Sequence, residues 1–94
     1  MATLRITPAA LRDLERLTDF LRAADPIAAM ETIPLILENL KVLAAHPLIG
    51  RPIEQRRREL LVFRGRSGYV VQYAFLPPVD EVVILAIQHQ READ

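Results

Sequence analysis

Residues 68–90, GYVVQYAFLPPVDEVVILAIQHQ, contain the two segments that decide the fold. Residues 68–76 alternate large side chains between two faces, which predicts a β-strand. Residues 77–80 then predict a turn. Apolar residues run without interruption over 82–87, as is typical of a strand buried on both faces in the middle of a sheet. We therefore predict two adjacent strands, the second of which spans residues 81–90 and lies centrally.

Another strand is predicted just before this pair, at residues 59–64. The sequence GRSG at residues 65–68 predicts a tight turn between it and the strand that follows. Residues 47–58 combine two prolines and a glycine with four arginines, and we expect a long basic loop there.

Two helix-start signals lie in the first half of the chain. Residues 3–6 alternate polar and apolar side chains and predict a short first strand. Thr7-Pro8 and Asp25-Pro26 then each pair a good N-cap residue with a proline at the first helical position. His46-Pro47 predicts the end of the second helix.

Apolar side chains recur at helical spacing in both predicted helices. In the first they are Ala10, Leu14, Leu17, Leu21 and Ala24, with Leu11 and Phe20 widening the stripe. In the second they are Ile27, Met30, Ile33, Leu37, Leu40 and Ala44. Pro34 lies inside this second pattern, and we expect it to kink the helix or to shift its start. Because the link is short, the helices should form an antiparallel hairpin.

The order β-α-α-β-β-β predicts an α+β fold in two layers, with the helical hairpin packed on one face of a mainly antiparallel sheet. At 94 residues, we expect one domain spanning residues 1–94. The other face of the sheet should stay partly open.

Composition narrows the class of protein. The chain has no cysteine, which rules out disulfides and thiolate metal sites. His46 and His89 lie far apart with no obvious carboxylate grouping, so we expect no metal, and no nucleotide-binding fingerprint indicates a cofactor. With neither a signal pattern nor an apolar run long enough to span a membrane, we expect a cytoplasmic location.

Positive charge is concentrated in the middle of a chain whose formal net charge is zero. Residues 46–75 carry six of the eleven arginines against two glutamates, a net charge of +4. They are Arg51, Arg56, Arg57, Arg58, Arg64 and Arg66. Such a run is either a solvated loop or a surface that binds an acidic or phosphate-bearing partner. We predict partner binding by these six arginines.

The element order, with three segments, resembles the RelE/ParE superfamily of toxins from type II toxin–antitoxin pairs. The segments are HPLIGRPIEQRRRELLV at 46–62, GYVVQYAF at 68–75 and VVILAIQHQRE at 82–92. The amino-acid sequence of these segments is closer to that of ParE-like members. The resemblance implies a growth-inhibiting cytoplasmic toxin, neutralised by a cognate antitoxin as its protein partner. ParE-like members bind and poison DNA gyrase, whereas RelE-like members cut messenger RNA on the ribosome.

The resemblance leaves three functions open. The first is inhibition of gyrase by direct binding, without an active site. The second is a ribosome-dependent endoribonuclease, in which Arg64, Arg66, His89 and Arg91 supply phosphate binding and acid–base chemistry. The third is a non-toxic module that only binds its antitoxin.

The sequence departs from the nuclease pattern, which favours gyrase binding. It has no tyrosine after His89, it has Gln88 where related sequences carry an arginine, and its one lysine is Lys41. His89 is then a strand-end histidine. Tyr69 and Tyr73 could stack bases, but we expect them in the core.

Overall fold

The computed structural model describes residues 1–93 and has five strands and three α-helices in that range. In chain order these are β1 Thr3–Ile6, α1 Pro8–Ala24, α2 Pro26–Ala45, β2 Arg51–Pro52, β3 Arg58–Arg64, β4 Ser67–Leu76, β5 Glu81–His89 and α3 Gln90–Ala93. A 3₁₀ turn, Pro77–Val79, joins β4 to β5.

The strands form one sheet in the order β1-β5-β4-β3-β2. β1 runs parallel to β5, and the remaining neighbours are antiparallel. The predicted α+β architecture is confirmed, and β5 is an interior strand, between β1 and β4, as predicted. The pairing of β4 with β5 shifts between Gln72 and Tyr73, so that Leu85 has no partner across the ladder. Such an extra residue is a β-bulge, which increases the local twist of the sheet.

The two helix starts lie where the sequence predicts them. The side chain of Thr7 accepts a hydrogen bond from the backbone N–H of Ala10, with 3.2 Å between Oγ1 and N. Asp25 Oδ1 accepts one from Ala28 at 3.1 Å. Thr7 also donates its hydroxyl proton to the carbonyl of Ile84, 2.7 Å away, which ties the start of α1 to the central strand. Each cap satisfies a backbone donor that the helix itself leaves unpaired.

The helical hairpin covers one face of the sheet. The register pairs Leu60 with Val71 and Val62 with Tyr69, so these side chains share a face. They pack against the buried residues of both helices in one core, which includes Leu17, Ile36, Leu40 and Leu43. On the other face, Leu61 and Phe63 are exposed. That face is partly open, as predicted.

The predicted apolar stripe of α1 is correct at four positions, and that of α2 is wrong along much of its length. Ala10, Leu14, Leu17 and Leu21 are buried, but Leu11, Phe20 and Ala24 are exposed. In α2 the buried residues are Ala28, Thr32, Ile36, Leu40, Leu43 and Ala44. Ile27, Met30 and Leu37, which were predicted to be buried, are exposed.

The physical reason is that α2 is apolar on more than one side, so periodicity alone does not select the buried stripe. The inward face begins with the small residues Ala28 and Thr32, which allow close approach of a neighbouring element. Pro34 lies within α2 on its exposed side. α2 begins at Pro26, so Pro34 does not shift its start. Because Pro34 faces solvent, water can solvate the carbonyl of Met30, which the proline leaves without a donor.

Two further boundaries differ from the sequence prediction. Residues 47–58 are not entirely loop, because Arg51 and Pro52 pair with Glu59 and Arg58 to form the edge strand β2. A proline is tolerated at the edge of a sheet, where its missing donor breaks no ladder bond. At the other end, β5 stops at His89 and Gln90 begins α3. None of the helices within residues 1–93 has the length and apolar character to span a membrane.

Candidate functional site

The six arginines of the basic segment lie along one edge of the sheet, but three of them have partners inside the molecule. Arg51 forms an ion pair with Glu59. Arg58 Nη1 donates to the carbonyl of Gly50 at 2.8 Å. Arg64 donates from Nε to Glu31 Oε2 on α2, over 2.9 Å. These contacts give the three arginines a structural role that docking to a partner would have to break.

Arg56 and Arg57 lie in the hairpin loop between β2 and β3, which we call the arginine loop (residues 53–57). The backbone N–H of Arg57 donates to the carbonyl of Glu54 at 3.2 Å, so Gln55 and Arg56 are the central residues of a tight turn. Both have positive φ, 61° and 60°. Residues other than glycine rarely adopt positive φ, because their Cβ is crowded there. The turn therefore stores strain while it presents the exposed Arg56 at its tip.

A buried hydroxyl fixes the segment that precedes this loop. Tyr73 donates its hydroxyl proton to the carbonyl of Pro47 and accepts a hydrogen bond from the backbone N–H of Gly50, each over 2.8 Å. Burial raises the pKa of Tyr73, although the Gly50 hydrogen bond and the charge of Arg58 act in the opposite direction. A Cβ at position 50 would lie 2.6 Å from the Tyr73 ring, so only glycine fits there.

Tyr69 and Tyr73 are both core residues, as predicted. Their side chains are buried between the sheet and the helices, which excludes them as an exposed platform for stacking bases.

A concave site lies where α1 meets the β3–β4 turn and the end of β5, and we call it the arginine cleft. It has a volume of about 590 Å³. Its lining residues are Arg16, Leu17, Phe20, Arg66, Ser67, His89 and Arg91. One face of α1, the turn between β3 and β4, and the junction of β5 with α3 carry these side chains.

The cleft brings together three of the four residues of the nuclease hypothesis, namely Arg66, His89 and Arg91. Arg64 is not among the lining residues, since its guanidinium is paired with Glu31. Sequence reasoning missed Arg16 and Ser67 and assigned Phe20 to the core. The signal that could have found two of them is the spacing of Arg16 and Phe20, which places both on one face of α1.

Contacts with Tyr69 and with the backbone of Arg91 orient the imidazole of His89. Its ring meets Tyr69 edge-on, with 5.2 Å between centroids and 82° between planes. Its Nδ1 accepts a hydrogen bond from the backbone N–H of Arg91 at 3.1 Å. The neutral imidazole therefore carries its proton on Nε2, where it is a donor. To accept a proton at Nε2, the ring would have to change tautomer and lose this hydrogen bond.

The outer surface of the hairpin carries a second concave feature, which we call the outer groove. It has a volume of about 430 Å³ and is lined by Thr18, Arg22, Pro26, Ala29, Met30, Ile33 and Pro34. Met30, which lines the groove, is 76% exposed, and Ile27, which does not, is 65% exposed. Ile27, Met30, Pro34 and Leu37 together form an apolar strip on α2 that faces solvent.

Comparison with known proteins identifies the family. The family described as the ParE toxin of the type II toxin–antitoxin system parDE matches residues 4–94. Toxin RelE3 of Caulobacter vibrioides is 42% identical over 92 residues, which cover 98% of each chain.

Two solved structures are similar over nearly the whole fold. The chromosomal ParDE toxin–antitoxin system of P. aeruginosa has a TM-score of 0.78 at 27% identity, covering 95% of this chain and 96% of that one. The toxin–antitoxin complex RelBE2 of Mycobacterium tuberculosis has a TM-score of 0.56 at 27% identity, with coverage of 95% and 98%.

Proposed function

The chain belongs to the ParE toxin family of type II toxin–antitoxin systems, and on this basis we propose that it inhibits DNA gyrase by direct binding. In this proposal it acts in the cytoplasm and is neutralised by a cognate antitoxin. The observation that carries the proposal is the hydrogen bond that His89 accepts at Nδ1 from Arg91. Among the described residues that line the cleft there is charge to bind an anion, but the neutral imidazole presents a donor at Nε2 and not a base that is ready to act.

The reasoning starts from what RNA cleavage requires. Attack by a 2′-hydroxyl needs a base for its proton and an acid for the leaving oxygen. Of the described residues that line the cleft, His89 is the one whose side-chain type most often serves as general acid or base. Because the neutral ring accepts at Nδ1 from Arg91, it presents a donor at Nε2. The arrangement favours binding over proton transfer.

The arginine loop supports a protein-binding function. Two adjacent positive-φ residues cost free energy, of the order of 1–3 kcal/mol each, and such strain tends to persist where function selects it. Here it places Arg56 at an exposed tip. We propose that Arg56 and Arg57 contact acidic groups of gyrase, while Arg51, Arg58 and Arg64 hold the edge that presents them.

The apolar strip supports an antitoxin partner. Ile27, Met30, Pro34 and Leu37 follow one another at three- and four-residue spacing on the exposed side of α2, which fits an apolar helix laid along it. Both structural relatives described above are toxin–antitoxin systems. We propose that the antitoxin covers this strip.

The experiment that separates the targets is induction of the toxin without its antitoxin. Gyrase inhibition predicts filamentous cells with induced DNA-damage signalling while translation continues. An early halt in translation without damage signalling would contradict the proposal. The matched variant is Arg56→Glu, which reverses a charge at the loop tip and should reduce toxicity without unfolding the chain.

One observation favours a second function, ribosome-dependent cleavage of messenger RNA. Arg66 lines the same cleft as His89 and Arg91 although it is remote from them in sequence, and a phosphate-binding catalytic site requires such convergence. This function predicts transcript cuts in induced cells that disappear in His89→Ala. Toxicity that survives this substitution excludes it.

A further inference from the structure

The arginine cleft has the dimensions of a site for a small ligand. Its volume of about 590 Å³ lies within the roughly 300–1,000 Å³ that is usual for such sites. Leu17, which is almost fully buried, forms part of its apolar floor. Charged and polar groups lie around that floor, on α1, the β3–β4 turn and the end of β5.

The cleft contains the guanidinium groups of Arg66 and Arg91. Among the side chains that the structure describes, no carboxylate lies within ion-pair distance of Arg66 or Arg91. Arg64, only two residues before Arg66, is by contrast paired with Glu31. Cations that line one concave site repel each other unless an anion joins them, and a guanidinium can bind phosphate oxygens through two parallel hydrogen bonds.

An aromatic ring lies beside these charges. Phe20 lines the cleft and is 63% exposed, although Leu17 and Leu21 on the same helix are buried. An exposed phenyl ring next to two cations suits a nucleotide, because the ring stacks on the base while the cations bind the phosphates.

The surroundings of the cleft indicate a single nucleotide and not a nucleic acid strand. A strand needs a basic path that continues beyond one nucleotide. Here the neighbouring Arg64 is neutralised by Glu31, and Asp13 is within 3.4 Å of Arg16 at the cleft. A basic path leading away from the cleft is thus interrupted at Arg64 and at Arg16.

We propose that the arginine cleft binds a nucleoside polyphosphate, with the base on Phe20 and the phosphates on Arg66 and Arg91. Ser67 contributes a hydroxyl donor at the same turn. This ligand site is independent of the gyrase proposal, since gyrase inhibition is assigned to the arginine loop.

The test is calorimetric titration of the full chain with ATP, GTP, inorganic tripolyphosphate and a single-stranded oligonucleotide. We expect saturable binding of a nucleotide with one site per chain. Arg66→Gln and Arg91→Gln should each weaken it about tenfold, since each removes a charged hydrogen-bond donor. Phe20→Leu should weaken nucleotide binding while leaving tripolyphosphate binding unchanged. The matched control is Arg12→Gln, which removes an equal charge from α1 outside the cleft.

Three results would overturn the proposal. The first is no saturation at millimolar nucleotide. The second is an equal loss of affinity in Arg12→Gln and in the cleft variants. The third is an affinity for tripolyphosphate or for the oligonucleotide that equals or exceeds the affinity for the nucleotide. A supercoiling assay on the same variants keeps the two proposals separate, because nucleotide binding can fail while gyrase inhibition persists.

Discussion

The backbone N–H of Arg91 donates a hydrogen bond to Nδ1 of His89, with 3.1 Å between the two nitrogens. The contact lies where β5 passes into α3 and fixes the tautomer of the imidazole in the cleft. This hydrogen bond favours a role for His89 in shaping a binding surface over a role in proton transfer.

Replacement of His89 by asparagine tests this distinction. The side-chain oxygen of Asn can take the place of Nδ1 as acceptor for the Arg91 N–H, but it cannot exchange a proton at neutral pH. We expect His89→Asn to retain toxicity, measured as growth inhibition after induction. His89→Ala, which loses the acceptor as well, serves as the comparison. Loss of toxicity in the Asn variant, with the fold intact by circular dichroism, would show that the imidazole is catalytic.

Removal of the Tyr73 hydroxyl should destabilise the fold. Tyr73→Phe leaves the ring in place but deprives the Pro47 carbonyl and the Gly50 N–H of their shared partner. Leaving such groups unpaired costs about 1–3 kcal/mol. Chemical denaturation should show this loss without a change in slope, and Tyr73→Leu should cost more because the ring is also lost. A stability equal to that of the unsubstituted chain would contradict the contact.

Stability should also fall at alkaline pH because of the same residue. Burial raises the pKa of Tyr73 above the ordinary value of 10.0. Below pH 10 both states keep the proton, and the stabilisation is complete. As pH rises above 10, the unfolded chain ionises first, so folding becomes less favourable until the folded pKa is passed. Unfolding measured between pH 8 and 11.5, and compared with Tyr73→Phe, should show a shallower decline in the variant.

The tip of the arginine loop should trade stability for docking. Glycine adopts positive φ without steric cost, so Arg56→Gly should relieve strain of the order of 1 kcal/mol, part of which is offset by the greater freedom of the unfolded chain. If Arg56 docks, the same variant should fold at least as well and inhibit growth less. Gln55→Gly is the matched control, because it relieves the same strain and keeps the arginine. Equal toxicity in both variants would remove Arg56 from the docking surface.

Local signals in the sequence were sufficient to predict most of the elements. Thr7 and Asp25 cap their helices as short-range chemistry requires, and the uninterrupted apolar run in β5 agrees with its interior position in the sheet. Other features depend on long-range contacts. The buried side of α2 is selected by packing, since Ile27 and Met30 are as apolar as the residues that are buried.

The functional site was less accessible to sequence reasoning. The cleft joins residues 16–20, 66–67 and 89–91, which only the folded chain brings together. The pairing of Arg64 with Glu31 was also hidden, because 33 positions separate the two residues. The cluster of arginines in sequence therefore indicated a basic segment, for which partner binding stays a prediction, but it did not show which guanidinium groups are engaged inside the molecule.

The measurement that tests the central claim most directly is inhibition of purified DNA gyrase by the purified chain in a supercoiling assay. We predict dose-dependent inhibition at micromolar toxin, retained in His89→Asn, weakened in Arg56→Glu and relieved by the antitoxin. Full gyrase activity at micromolar concentrations of a folded chain would contradict the proposed function.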